Sequence, residues 1–284
     1  MTASSSALSQ AWFWTHTLLS LSLIQQHGES LITFPPHGKQ WLWPWEILKS
    51  EFEFLPKFVQ KILNLTLCDD HFRHTLQIAW VLSWVSLMNP HPLIFGSLLG
   101  LQILVLLRWR GTYNGGSDFM TLVVLSSVGL GSLDSGLEWL TLSRGLQGSF
   151  QKLALGVIAI QACSSYWISG LAKVRRKNWR TGVALRGFLK HSLYEMPAFF
   201  SPPPKGDERG SFFLSPKVTF LLSLGVLLLE LGFPLVLISP QFLWPALVLG
   251  GVFHLGNALF LGLNRFILPW CATYPALIYF SSKL

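Results

Sequence analysis

The chain has 284 residues, of which 51% are hydrophobic and only 12% charged, and its mean hydropathy is +0.46. A soluble domain carries about 25% charged residues, so this composition, with 13 Trp and 21 Phe, excludes an ordinary soluble enzyme, a disordered chain and a coiled coil. The net charge of +8 is concentrated, because ten Lys/Arg and three acids fall between Lys173 and Lys217, and such a segment reads as a cytoplasmic loop rather than as a nucleic-acid site.

The apolar runs are continuous, whereas strands of a membrane β-barrel alternate apolar and polar residues. The fold class expected is therefore all-α: a polytopic transmembrane helical bundle of about seven or eight spans in one domain, 1–284, with a basic loop at 173–217. No basic n-region precedes the first apolar stretch, so no cleaved signal peptide is expected.

Ala7 to Gln25 is long enough to span, but His16 and several Ser, Thr and Gln also suit an interfacial helix. Pro35, Pro36 and Pro44 break helices, and Trp41, Trp43 and Trp45 suit a headgroup belt. Glu51 to Leu65 reads as a surface helix. His74 to Leu107 carries no formal charge and is interrupted by Asn89-Pro90-His91-Pro92. This is a helical hairpin with a tight turn, ended by Arg108 and Arg110.

Phe119 to about Leu137 is the next span, with Asp134 near its far end, and Lys152 to Lys173 follows. The basic loop contains Ser201-Pro202-Pro203-Pro204 and the stretch from Gly206 to Gly210, which predicts extended chain. Val218 to Leu237 spans next and contains Glu230 and Pro234. Leu243 to Leu263 contains His254 and Asn257, and Phe266 to Phe280 is the last, short span. With the 173–217 loop in the cytoplasm, counting spans in both directions puts Arg108, Arg110 and Arg265 on that side too.

An ionisable group in hydrocarbon costs at least ~2.5–3.5 kcal/mol, so each one is a functional candidate. Glu230 and His254 lie on consecutive antiparallel spans, about 11 residues before and 13 after Gln241. At ~1.5 Å rise per residue their depths nearly match. They are expected either to pair structurally or to line a substrate or proton path. Asn257 follows His254 at i+3 and faces the same way.

Asp118 opens one span and Lys173 closes the next. Either they pair, or Lys173 snorkels while Asp118 complements a helix N-terminus. Tyr166, Gly170 and Lys173 line one face at i, i+4 and i+7, and Gly170 permits close approach of a neighbour. A lysine at the edge of an apolar site can lose its proton and serve as a base. Cys68, Cys163 and Cys271 form no CxxC or metal-ligand spacing and read as small buried hydrophobes, so no metal site is expected.

Two stretches carry a family resemblance. One is Tyr166-Trp167-Ile168-Ser169-Gly170-Leu171-Ala172-Lys173, followed by Trp179 and Gly182. The other is His254-Leu255-Gly256-Asn257, running through Phe266 and Pro269-Trp270. In this order and spacing they resemble the HTTM membrane domain, the integral membrane part of vitamin K-dependent gamma-glutamyl carboxylase and its bacterial relatives. Arg108 to Asp118 takes the place of a polar loop of that family, and the likeness runs from about Thr75 to Phe280.

The resemblance implies a helical bundle with a polar site between helices and a reduced quinone as cofactor. In the carboxylase a lysine of the first motif deprotonates reduced vitamin K, and the matching position here is Lys173. His254 would stabilise developing charge, with Glu230, Asp118, Tyr166, Asn257 and Arg108 as the supporting polar site. The activity implied is carboxylase-like lyase or ligase chemistry on a peptide or small substrate. Two alternatives stand beside it. One is a non-catalytic membrane component that assists maturation or export of a peptide partner, docked on the basic loop. The other is a proton path through Glu230 and His254. The lipid bilayer is the expected environment in each case, and no nucleic acid is implied.

Overall fold

The computed structural model describes residues 3–34, 44–110, 115–135, 148–190 and 212–284. Pro35 and Pro36, the Trp41 and Trp43 belt, and the 191–211 part of the basic loop lie outside them. The described residues are helical and contain no strand. Among the described residues five helices are long and apolar enough to cross a membrane: Pro92–Trp109, Gly116–Ser135, Ser149–Val174, Pro216–Leu237 and Pro240–Leu261. The expected first span, the first half of the hairpin and the last span are not among these five, for reasons visible in their residues. The chain divides into two compact units, 13–154 and 1–12 with 155–284.

Most of helix α1 (Ala3–Thr33) belongs to the first of these units. It is longer than the expected span, and its inner face is polar: Thr15, His16, Ser20, Ser22, Gln26, His27 and Ser30 are all buried. Buried polar groups need partners: Ser22 and Ser30 bond to Gln26 within α1, and Ser20, Gln26 and His27 find theirs on the following helices. Helices α2 (Trp45–Leu48) and α3 (Lys57–Leu67) lead to α4 (Asp69–Met88), α5 (Pro92–Trp109) and α6 (Gly115–Gly131).

His27 bonds Ser83 Oγ of α4 through Nδ1 and Gln102 Oε1 of α5 through Nε2, each at 2.9 Å. Gln26 Nε2 donates to Thr121 Oγ1 of α6 at 2.8 Å, and Ser86 Oγ donates to Ser20 Oγ at 2.9 Å. Such contacts bind helices together where the hydrophobic effect is absent.

The hairpin turn forms as its prolines dictate. Asn89 ends α4 in extended conformation, Pro92 opens α5, and His91 Nδ1 accepts from the Leu93 N–H at 3.3 Å. One end of this unit holds an aromatic core that includes Phe34, Trp45, Phe72 and Trp109. Arg108 is buried within it, ion-paired to Asp69, donating through Nε to the Leu67 carbonyl at 3.2 Å, and lying over the Phe34 and Phe72 rings.

The second unit takes most of α7 (Ser149–Val174), then the short helices α8 (Lys177–Arg180) and α9 (Val183–Lys190), then α10 (Pro216–Gly232). Gly182, at φ 75°, makes the turn between α8 and α9 and sits against the α10 backbone. A Cβ there would stand 2.6 Å from Phe220 N. Ser223 Oγ of α10 donates to the Trp179 carbonyl at 2.5 Å.

Pro234 closes α10 into a 3₁₀ turn, Phe233–Leu237. Helix α11 (Leu243–Leu261) ends at Gly262 in left-handed conformation, with Leu263 N–H donating to the Asn257 carbonyl. The expected last span is instead two short helices, α12 (Ile267–Cys271) and α13 (Tyr274–Ser281). Pro275 starts a fresh helix rather than continuing one. Thr273 Oγ1 donates to the Trp270 carbonyl across the break at 2.7 Å.

Candidate functional site

The polar residues of the second unit gather on α7. Tyr166, Ser169, Gly170 and Lys173 recur at helical spacing, so one face presents them in a row about 10 Å long. Gly170 decides what that row meets. A Cβ at this position would stand 3.0 Å from both Glu230 Cβ and Leu231 Cγ, so the absent side chain lets α10 lie directly on α7. Glu230 is thereby delivered to Lys173.

Lys173 Nζ donates to Glu230 Oε1 and, at 2.5 Å, to Ser169 Oγ. The Ser169 hydroxyl donates to the same Glu230 oxygen at 3.1 Å. The Glu230 side chain is 3% exposed and that of Lys173 is 19%, so the lysine reaches the edge of the protein while the carboxylate is sealed in. The ammonium also lies 5.2 Å from the centre of the Trp179 ring, a cation–π contact.

The second station is aromatic. Tyr166 OH and His254 Nε2 of α11 are 2.7 Å apart. Tyr166 stacks on Phe233 at 3.9 Å between centroids and meets the edge of Trp270 at 4.7 Å. His254 stacks on Trp270 at 4.8 Å. Gly250, one turn before His254, leaves the room this requires: a Cβ there would stand 3.1 Å from Tyr166 OH and 2.8 Å from Tyr274 OH.

Four buried polar atoms at this site have no hydrogen-bond partner: Glu230 Oε2, His254 Nδ1, Trp270 Nε1 and Tyr274 OH. Each such atom costs about 1–3 kcal/mol. Together they give the site a carboxylate acceptor, an indole donor, an imidazole nitrogen and a phenol hydroxyl for use by something bound.

Glu230 and His254 do not pair with each other, as their matched depths led one to expect. Both turn to α7, where Lys173 takes one and Tyr166 the other. The i, i+4, i+7 face containing Tyr166, Gly170 and Lys173 is as the spacing predicted. Asn257 is half-buried on α11. Asp118 and Arg108 belong to the 13–154 unit; both are buried, and Arg108 is held by Asp69 and the Leu67 carbonyl.

Asp134, expected near the end of a span, accepts from the backbone N–H groups of Phe150 (3.4 Å) and Gln151 (2.9 Å) and so caps α7. The three cysteines are free. Among the described residues no group of His, Cys, Asp and Glu could hold a metal ion.

Sequence reasoning passed over Ser169, Phe233, Gly250 and Tyr274. Ser169 was within reach, since it stands at i+3 from Tyr166 and i−4 from Lys173. The others come from turns or from a glycine, which carry no chemical signal of their own. Comparison of the chain with family models, with curated proteins and with solved structures finds no match.

Proposed function

We propose that this protein is an integral membrane enzyme of the HTTM type. It would cross the bilayer seven or eight times, with the 173–217 loop in the cytoplasm, and use a reduced quinone to modify a peptide or small substrate. The observation that carries this reading is the Lys173–Ser169–Glu230 cluster beside the Tyr166–His254 pair, in which Lys173, Ser169, Tyr166 and His254 come from the two stretches that resemble the carboxylase domain and Glu230 from α10.

Lys173 is the base. In a medium of low dielectric an ammonium–carboxylate pair and its neutral form lie close in energy, because burial penalises both charges. Passing the proton from Nζ to Glu230 leaves a free amine that can accept another from an acidic hydroxyl. Ser169 holds Nζ in place, and Trp179 covers it. His254 stabilises negative charge that develops on the bound molecule.

The residues fit a planar aromatic ring with polar oxygens. Trp270 Nε1 and Glu230 Oε2 are buried and unpartnered, and Phe233, Tyr166 and Trp270 are aromatic neighbours. Lys173, Glu230 and Trp270 would hold such a group, which when bound and oxidised by dioxygen as co-reactant would supply a strong base. By resemblance Asn257 also belongs to the polar site.

The test is to purify the protein in detergent and identify bound lipids by mass spectrometry, with Lys173→Ala alongside. A quinone present in stoichiometric amount and lost in the variant supports the enzyme. Phospholipid alone, unchanged by the variant, overturns it.

One observation favours a second reading, a non-catalytic component that helps mature or export a peptide. Lys173 is already fully engaged by Glu230, Ser169 and Trp179, as an architectural lysine would be, while Arg175, Arg176, Lys177 and Arg180 just beyond α7 are exposed. Neutralising those four should then abolish function, with the paired change Lys173→Met and Glu230→Leu tolerated.

A further inference from the structure

We infer that Tyr166 fixes the tautomer of His254, so that a neutral imidazole presents its Nδ1–H to an oxygen of the bound molecule. This deepens the proposed function and rests on its reading of the cluster as the site. Tyr166 is thus a positioning residue that acts through the imidazole.

Tyr166 OH and His254 Nε2 are 2.7 Å apart. An N–H donor typically stands about 2.9–3.0 Å from an oxygen, whereas O–H donors sit closer, at about 2.7–2.8 Å. The phenol is also the more acidic partner and the imidazole nitrogen the better acceptor. The tyrosine therefore donates and Nε2 accepts. In a neutral ring one nitrogen is bare and the other carries the hydrogen. With Nε2 accepting, the hydrogen is on Nδ1.

That N–H is in turn buried and unpartnered. Trp270 at 4.8 Å and Phe266 at 6.1 Å between centroids both stack on the ring, which restricts how the imidazole can turn. Orphaned buried N–H groups are rare because they forfeit a hydrogen bond to water. The missing partner is an acceptor, and a carbonyl or phenolate oxygen of a ligand fits. Trp270 Nε1, a second orphan donor, belongs to the ring stacked on His254. Two neutral donors on adjacent rings suit an oxygen that gains negative charge, since donors already in place need no reorganisation when charge appears.

Gly250 is part of the device. It lets the Tyr166 hydroxyl reach the histidine while the Tyr274 hydroxyl lies alongside. Tyr274 offers the competing arrangement, in which Tyr166 donates to Tyr274 and accepts from Nε2–H. The nitrogen spectrum separates the two.

The experiment is nitrogen NMR of histidine-labelled full-length protein in lipid bilayers, with the His254 signals assigned by their loss in His254→Gln. The expected result is a protonated Nδ1 and a bare, accepting Nε2. Tyr166→Phe should move the hydrogen to Nε2, and Tyr274→Phe should leave it on Nδ1. A wild-type spectrum with hydrogen on Nε2 overturns the inference, even if Tyr166→Phe fails to fold. Adding menadiol, a short hydroquinone, should shift Nδ1. A correct tautomer that menadiol does not move would leave the Tyr166 assignment standing and overturn the quinone reading.

Discussion

Gly170 of α7 and Glu230 of α10 approach so closely that a Cβ on the glycine would stand 3.0 Å from the Cβ of the glutamate. The ion pair with Lys173 depends on that missing side chain, because it alone sets the spacing of the two helices at this level. Substitution by Leu is expected to push α10 away and part Glu230 from Lys173. Overpacking of this kind costs roughly 1–3 kcal/mol. A lowered Tm in detergent, together with loss of whatever lipid co-purifies with the wild type, checks both consequences. An unchanged Tm would mean that the helices are not in contact here.

The Lys173–Glu230 pair should show strong coupling. Removing one member of a buried pair strands the other and costs about 3–5 kcal/mol, while replacing both with apolar residues is often neutral. Glu230 is the more deeply sealed partner. Glu230→Ala exposes the lysine to solvent at the protein edge, whereas Lys173→Ala leaves a carboxylate with only Ser169. Lys173→Ala is therefore the more damaging of the two, and Lys173→Met with Glu230→Leu should recover most of the stability. Denaturant unfolding of the four proteins completes the cycle, and additive single effects would refute the coupling.

Gly182 tolerates no side chain. Its φ of 75° disfavours other residues, and a Cβ would lie 2.6 Å from Phe220 N and 2.7 Å from Phe220 Cα. Gly182→Ala is expected to destabilise the second unit by more than the ~1–3 kcal/mol of backbone strain alone. Hydrogen exchange at α8 and α9 should rise more than exchange at α4 and α5, which belong to the other unit.

Arg108 is fully buried and Asp69 is not: their side chains are 0% and 46% exposed. Asp69→Asn should therefore leave a buried guanidinium without its counter-charge, softened because the amide oxygen still accepts from it, at about 1–3 kcal/mol. Arg108→Lys should cost more, since a lysine cannot donate at once to Asp69 and the Leu67 carbonyl while lying over Phe34 and Phe72. Thermal unfolding of the two variants ranks them, and the reverse order would refute this account.

Much of the helical layout was legible because continuous apolar runs and prolines announce themselves. The Asn89-Pro90-His91-Pro92 turn falls where the residues placed it, and so does the helix that carries Tyr166 and Lys173. The face of α7 could be drawn from spacing alone. What spacing could not supply was rotation. Glu230 and His254 share a depth, yet which neighbour each faces depends on how α10 and α11 are turned against α7. Gly170 and Gly250 set that, and a glycine shows its role only when its neighbours are known. The last segment was apolar enough to suggest a span, but Pro269 and Pro275 made two short helices of it. Asp134 stands near the end of its span, as the residues placed it, but that it also caps the next helix is decided by residues 16 and 17 positions away in sequence.

The polar inner face of α1 has a consequence for biogenesis. His27, Gln26 and Ser20 find partners on α4, α5 and α6, which are made after α1 leaves the ribosome. An isolated α1 in lipid would expose all of those groups to hydrocarbon. Its settled place in the bilayer must therefore await the later helices, and a nascent chain cut after residue 34 should remain extractable by alkaline carbonate. A chain extended through α6 should resist extraction, because its first helix is by then held from three sides.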